Sequence, residues 1–279
     1  MKKILVPTNF SDLGDFAYTV ANHLANETNS TIDVLSIVPG PQGAIYSSGG
    51  DLINDEGNDY SEWYDRLEND KKKMVEWTAG KDHIVKTDSI IGNIDNDIIA
   101  YAESNDIDLI VMGTEGLFDK KLWSKPSHTQ YITNHTSIPV LSLKCDRSDI
   151  DLKEMVFVGD FLHPEKINLD CVKTIQKAFN SKLVLLKIKT PSANRTQEEI
   201  VADMHAFAKA NELENYETNI YSDQNVEAGI GKFSAERDID MIILGTHQHK
   251  GFSRLFRKSI SDDVVNHLYH PVLTFPLHS

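Results

Sequence analysis

A chain of 279 residues, 40% hydrophobic and 25% charged, is long enough for two domains that each bury a core, and it holds no apolar run of membrane-spanning length. Its formal net charge of −14 excludes a general nucleic-acid binder, because phosphate contacts need a basic footprint. Cys145 and Cys171 lack metal or redox spacing and read as free thiols in a reducing compartment; no cleavable leader is legible, so a cytoplasmic chain is expected.

In chain order, Ile4–Leu5–Val6, closed by Pro7, predicts a first strand buried on both faces. Ser11 or Asp12 can cap a helix whose apolar positions Leu13, Phe16, Ala17, Val20, Ala21 and Leu24 keep the i, i+3, i+4 rhythm. Ile32 to Val38 reads as a second strand, followed by a Gly-, Ser- and Asp-rich loop over 39–60. The acids Asp51, Asp55, Glu56, Asp59, Glu62, Asp65, Glu68 and Asp70, opposed by Arg66, do not have calcium-loop spacing and read as a solvated loop entering an exposed helix face. That helix carries Trp63, Leu67, Met74 and Trp77. A third strand is expected near His83 to Val85, a helix over Ile94, Ile98, Ile99 and Ala102, and a fourth strand at Ile107 to Met112.

The second half repeats the order. Strands are expected at Met155 to Val158, Leu183 to Ile188, Tyr216 to Tyr221 and Met241 to Leu244. Helix faces carry Val172, Ile175 and Phe179, then Ile200, Met204, Phe207 and Ala208, then Val226, Ile230 and Phe233. The repeat is also literal. Asp240 to Phe275 lies without a gap on Asp108 to Leu143 at an offset of 132, which puts Gly245–Thr246 on Gly113–Thr114, Ser259 on Ser127 and Pro271–Val272 on Pro139–Val140. In this unit a helix from about Ser259 leads to a closing strand after Pro271. Asn9–Phe10 matches Asp160–Phe161 at an offset of 151, so the first half carries 19 extra residues, best placed in the 39–60 loop. The expected class is α/β, with two tandem doubly wound parallel-sheet domains, 1–147 and 151–279, linked near Asp146 to Asp151.

Ligands of such sheets sit at the carboxyl edge where strand order reverses, which singles out Asn9 and Gly113 in one half and Asp160 and Gly245 in the other. Here the chain resembles the universal stress protein family in tandem form, through ILVPTNFSD and through DLIVMGTEG and DMIILGTHQ. The resemblance implies a five-stranded Rossmann-like sheet per half, of the adenine-nucleotide alpha-hydrolase-like kind, with the halves paired as a pseudo-dimer through their last strands. It also implies a site for ATP: an Asp after the first strand for the adenosine part, and G-x2-G-x9-G-[ST] for the phosphates.

Both halves depart from that pattern. The first keeps Gly113, Gly116 and Ser127, but Pro126 stands for the third glycine and removes an amide donor, and Asn9 stands for the Asp. The second keeps Asp160, Gly245 and Ser259, while Gln248 and Lys258 occupy the other glycine positions; Lys258, with Lys250, Arg254 and Arg257, supplies charge for phosphate. Val38, at the end of the second strand, completes the candidate set. The competing reading is that the glycines only turn the chain out of a buried strand, and that the basic loop is a solvated face.

His247, His249, His267 and His270 raise a zinc site, but no convergent acid or cysteine accompanies them, so no metal is expected beyond Mg2+ accompanying a nucleotide. The Ser47–Asp51 stretch follows the second strand and reads as linker, and Asp108 and Asp240 read as turn residues. The expected function is a stress-response regulatory module with weak or degenerate ATP binding. The alternatives are an interaction-only scaffold and, last, a slow ATPase, for no nucleophile with a neighbouring base is legible. A homodimer is left open.

Overall fold

The structure, a computed structural model, describes residues 1–41, 60–114, 127–147, 150–162, 166–246 and 270–276. The first half runs β1 (Lys3–Pro7), α1 (Asp12–Thr28), β2 (Thr31–Pro39), α2 (Ser61–Thr78), β3 (Ile84–Gly92), α3 (Ile94–Ser104), β4 (Leu109–Gly113), α4 (His128–His135) and β5 (Val140–Leu143). The second runs β6 (Glu154–Val158), α5 (Asp170–Phe179), β7 (Lys182–Lys189), α6 (Gln197–Ala210), β8 (Tyr216–Ser222), α7 (Val226–Glu236), β9 (Met241–Thr246) and β10 (Val272–Pro276). The helix expected from about Ser259 lies outside the described residues.

Local chemistry repeats with the sequence. α3 is capped by Asn93, whose Oδ1 accepts from Asn96 N at 3.0 Å, and α7 by Asn225, whose Oδ1 accepts from Ala228 N at 2.8 Å. α1 and α5 both end on an asparagine in the left-handed region, Asn29 at φ 54° and Asn180 at φ 50°. Asp108 and Asp240 are clamps. Asp108 Oδ2 accepts from the amides of Lys2 and Lys3 (2.5 and 3.0 Å), and Asp240 Oδ2 accepts from Glu154 N at 2.8 Å, so each acid pins the start of its half's first strand. The third strand is much longer than His83 to Val85. Its Lys86–Ser89 segment is polar because β3 is an edge strand, and pairing with β2 rather than hydrophobic alternation extends it.

The strands form one ten-stranded sheet in the order β3-β2-β1-β4-β5-β10-β9-β6-β7-β8. Every neighbouring pair is parallel except the central β5–β10 pair, where Val272 faces Ser142 and Thr274 faces Val140. This seam carries a matched pair of side-chain bonds: Ser142 Oγ donates to Val272 O at 3.2 Å, and Thr274 Oγ1 donates to Val140 O at 3.1 Å. Because the seam is antiparallel, the carboxyl edge of one half lies on the same side as the amino edge of the other.

On one face of the sheet the core is continuous across the seam, from Ile4, Val6 and Leu24 through Leu141 and Leu143 to Leu273, Phe275 and Met155. α1 packs beside α5 there, with the His23 and Phe179 rings 5.0 Å apart. The opposite face has two separate clusters, one around Leu35, Ile110 and Ile132 and one around Val184, Ile230 and Ile242. The expectation of one core per domain did not include the shared face, which arises because pairing at the last strands sets α1 and α5 side by side.

Candidate functional site

Strand order reverses between β1 and β4 in the first half and between β6 and β9 in the second, so each half has a crevice at its carboxyl edge. Asn9 and Gly113 flank the first crevice, on the exits of the paired strands β1 and β4. Asp160 and Gly245 flank the second, on the exits of the paired strands β6 and β9. The four positions thus fall in two pairs, each on the exits of neighbouring strands. Val38 is the next-to-last residue of β2, buried opposite Ile91 and packed with Leu67 of α2. Ser127 is the N-cap of α4, its Oγ accepting from Gln130 N at 3.2 Å. Gly116, Lys258 and Ser259 lie outside the described residues, as do Pro126, Gln248 and the basic loop.

In the first crevice the chain leaves β1 through two short side-chain turns. Thr8 Oγ1 accepts from Phe10 N at 2.9 Å, and Asn9 Oδ1 accepts from Ser11 Oγ at 2.6 Å and Ser11 N at 3.3 Å. Phe10 sits between them at φ 62°. The oxygen of Asn9 is thus turned back onto its own loop, and Ser11, though in N-cap position, makes no side-chain cap bond. Gly113 is needed by packing: a Cβ there would lie 2.6 Å from the Leu13 carbonyl oxygen of α1.

In the second crevice Phe161 repeats the left-handed turn at φ 56°, but Asp160 is engaged differently. Its carboxylate forms an ion pair with the Lys187 ammonium of β7, and both side chains are nearly buried, 9% and 12% exposed. The first half has Ser36, also buried, at the position of Lys187. Sequence reasoning missed Lys187. The available signal was a lysine in the middle of an otherwise apolar parallel strand, which needs a buried partner.

Two further groups at the first carboxyl edge were not singled out. Thr114, next to Gly113, donates its amide to Leu143 O at 2.7 Å, while its buried hydroxyl has no hydrogen-bond partner. Lys144 follows β5, and burial pushes its ammonium down to about 8. The unsatisfied hydroxyl and the half-buried lysine thus belong to the exits of neighbouring strands, a pairing of groups that suits an oxygen-rich, anionic ligand. Of the four histidines, His270 is described: it lies before β10 with Nδ1 buried and unpartnered, and burial, then the Arg147 charge, lowers its pKa. Among the described residues no cluster of three metal-ligating side chains occurs, and no helix is long and apolar enough to cross a membrane.

The profile of the Universal stress protein family matches residues 1–144 and 167–276. A universal stress protein of Methanocaldococcus jannaschii is 28% identical over 149 residues, 51% of this chain and 82% of that protein. Among solved structures, a universal stress protein from Archaeoglobus fulgidus superposes with a TM-score of 0.70 at 18% identity, covering 99% of this chain and 97% of its own. A functionally unknown protein from Pseudomonas aeruginosa gives 0.63 at 14% identity, covering 99% and 93%. Both superpositions take in both halves of the chain.

Proposed function

Because the chain belongs to the Universal stress protein family, with the family unit present twice, we propose that it is a regulatory module that takes adenine nucleotide weakly, in the first crevice rather than the second. The observation that carries this reading is the ion pair between Asp160 and Lys187. In the second half, an adenosine group recruiting Asp160 must first break a nearly buried ion pair, which leaves a charge uncompensated. In the first half, recruiting Asn9 gives up two neutral hydrogen bonds from Ser11 and strands no charge, and the Thr114 hydroxyl is a donor without a competitor. Lys144 and Mg2+ arriving with the nucleotide supply positive charge.

ATP with Mg2+ titrated to millimolar concentration, followed by melting temperature, tests this. A ligand at 100 times its dissociation constant stabilises by about 2.7 kcal/mol, so weak binding gives a smaller, concentration-dependent rise. The rise is expected to vanish in Thr114→Val and to persist in the Asp160→Leu, Lys187→Met double variant. A rise that survives Thr114→Val, or is lost in the double variant, places the nucleotide in the other crevice and overturns the assignment. A second reading, the interaction-only scaffold, is favoured by both Asn9 and Asp160 being turned to partners within the chain; no rise in any variant selects it.

A further inference from the structure

We propose that the outer edge of β3, in the cleft between α2 and α3, is a docking groove for an extended peptide segment that adds to the sheet as an eleventh strand. It lies beyond β2 from the first crevice, and its occupant is recognised mainly through backbone.

The backbone argument comes first. Gly40 N donates to Gly92 O, so Gly92 points its polar groups at β2, and alternation points Ile90, Asp88 and Lys86 the same way. Thr87, Ser89 and Ile91 therefore present their amides and carbonyls outward, and β3 ends the sheet. A cavity of about 850 Å³ runs along this edge. Tyr64, Leu67, Met74 and Val75 of α2 wall one side, and Asp97 and Tyr101 of α3 wall the other. Helix-walled sheet edges take strands because main-chain pairing supplies affinity while side chains alternate between the two walls.

The walls differ in chemistry. On the α2 side, Tyr64 and Val75 are 45% and 72% exposed, with Glu68 and Lys71 on the same wall; Val85, at the bulged start of β3 and outside the cavity lining, is 62% exposed. Only one other large hydrophobic among the described residues is comparably exposed, Leu162, so the apolar exposure gathers at this edge. On the α3 side, Tyr101 is 8% exposed and its hydroxyl lacks a hydrogen bond of normal geometry, although the Asp88 carboxylate faces it. Ser89, which by alternation faces the α2 side with Ile91, has a buried and unpartnered Oγ. On the α3 side, Asp88, paired with Lys86 at 3.1 Å, and Asp97 bring two carboxylates to that wall, with the Asp33 carboxyl buried behind them on β2.

The fitting partner thus alternates apolar residues, toward α2, with lysine or arginine, toward Asp88 and Asp97. A second copy of the chain fits poorly, since its own β3 edge carries α2 and α3 on either side. At the matching edge in the second half the polar groups are satisfied internally. Phe233 stands at the position of Tyr101, Tyr221 donates to Glu236 at 2.8 Å, and Arg237 spans Glu154 and Glu217.

The test uses the full chain and an end-blocked octapeptide of alternating valine and lysine. Its binding is expected to slow hydrogen exchange of the Thr87, Ser89 and Ile91 amides at least tenfold, and to leave those of Asp88 and Ile90 unchanged. Ser89→Pro removes an outward amide without removing a bond to β2, so the variant should keep its melting temperature and bind at least tenfold more weakly. Should that variant fold poorly, Tyr101→Phe serves instead, binding several-fold more weakly with its fold intact. The proposal is overturned by absence of binding at millimolar peptide or by protection that spares the three outward amides. Equal binding of an alternating valine and glutamate peptide, or self-association of the free chain through β3, overturns it as well.

Discussion

Where the first half holds Asp33, Lys86, Asp88 and Tyr101 beneath α3, the second holds Val184, Glu217, Asn219 and Phe233 beneath α7, in the same register of the same strands and helix. Lys3 and Asn105 correspond to Glu154 and Arg237. The charges are nearly inverted. In the second half, one guanidinium sits between two carboxylates, with Arg237 Nη2 2.9 Å from Glu154 and 2.5 Å from Glu217. In the first, Lys3 and Lys86 both donate to Asn105, at 2.9 and 2.8 Å, and the buried Asp33 carboxyl is held above its ordinary pKa by desolvation, partly opposed by those two lysines. At the carboxyl edges the contrast recurs, with Asn9 and Ser36 against Asp160 and Lys187. Backbone geometry was preserved through the duplication while the polar groups diverged: beneath α7 the charged groups pair with one another, whereas beneath α3 a buried carboxyl stays short of partners.

Substitutions can break this contrast or sharpen it. The largest effect is expected from Lys187→Met, which strands the Asp160 carboxylate almost out of water and should cost about 3 kcal/mol in chemical denaturation. Replacing both residues by apolar ones should recover most of that loss. Arg237→Met comes next, at about 2 kcal/mol, because its carboxylates are only partly buried and Lys182 still serves Glu217. Phe233→Tyr, which imports the first half's hydroxyl into a dry cluster, should cost about 1–2 kcal/mol; Tyr101→Phe should stabilise by a similar or smaller amount.

The smallest effect carries the clearest sign. Asp33 has a raised folded pKa, so its ionisation above the ordinary carboxylate value of 3.8 works against the fold, and stability present in acid is lost as pH rises through the folded value. Asp33→Val, copying Val184, should be close to neutral at pH 3.5 and stabilising by about 1 kcal/mol at pH 7. Equal effects at both pH values would show that the charge of Asp33 does not matter.

The parallel strands and amphipathic helices were legible because buried strands such as Leu109–Gly113 are apolar runs and the helices keep a 3.6-residue rhythm. The duplication was legible from the two glycine turns. β3 was read short because a polar edge strand has no hydrophobic signature; its extent is fixed by β2, a non-local cause. The crevice positions Asn9, Gly113, Asp160 and Gly245 followed from topology. What those side chains touch did not: the Asp160–Lys187 pair joins residues 27 apart, and the need for glycine at 113 comes from the approach of Leu13. The orphaned hydroxyl of Thr114 was invisible for the same reason, since an unmet hydrogen bond is a property of surroundings rather than of residue type.

The antiparallel join between β5 and β10 has a consequence for behaviour on dilution. Two separate chains meeting through such strands would part as concentration falls, with a melting point that tracks protein concentration. Here the joined strands belong to one polypeptide, tethered by the short stretch between Leu143 and Glu154, so encounter between them is unimolecular and the effective local concentration is set by that tether. The union of the halves should therefore persist unchanged from micromolar to nanomolar protein.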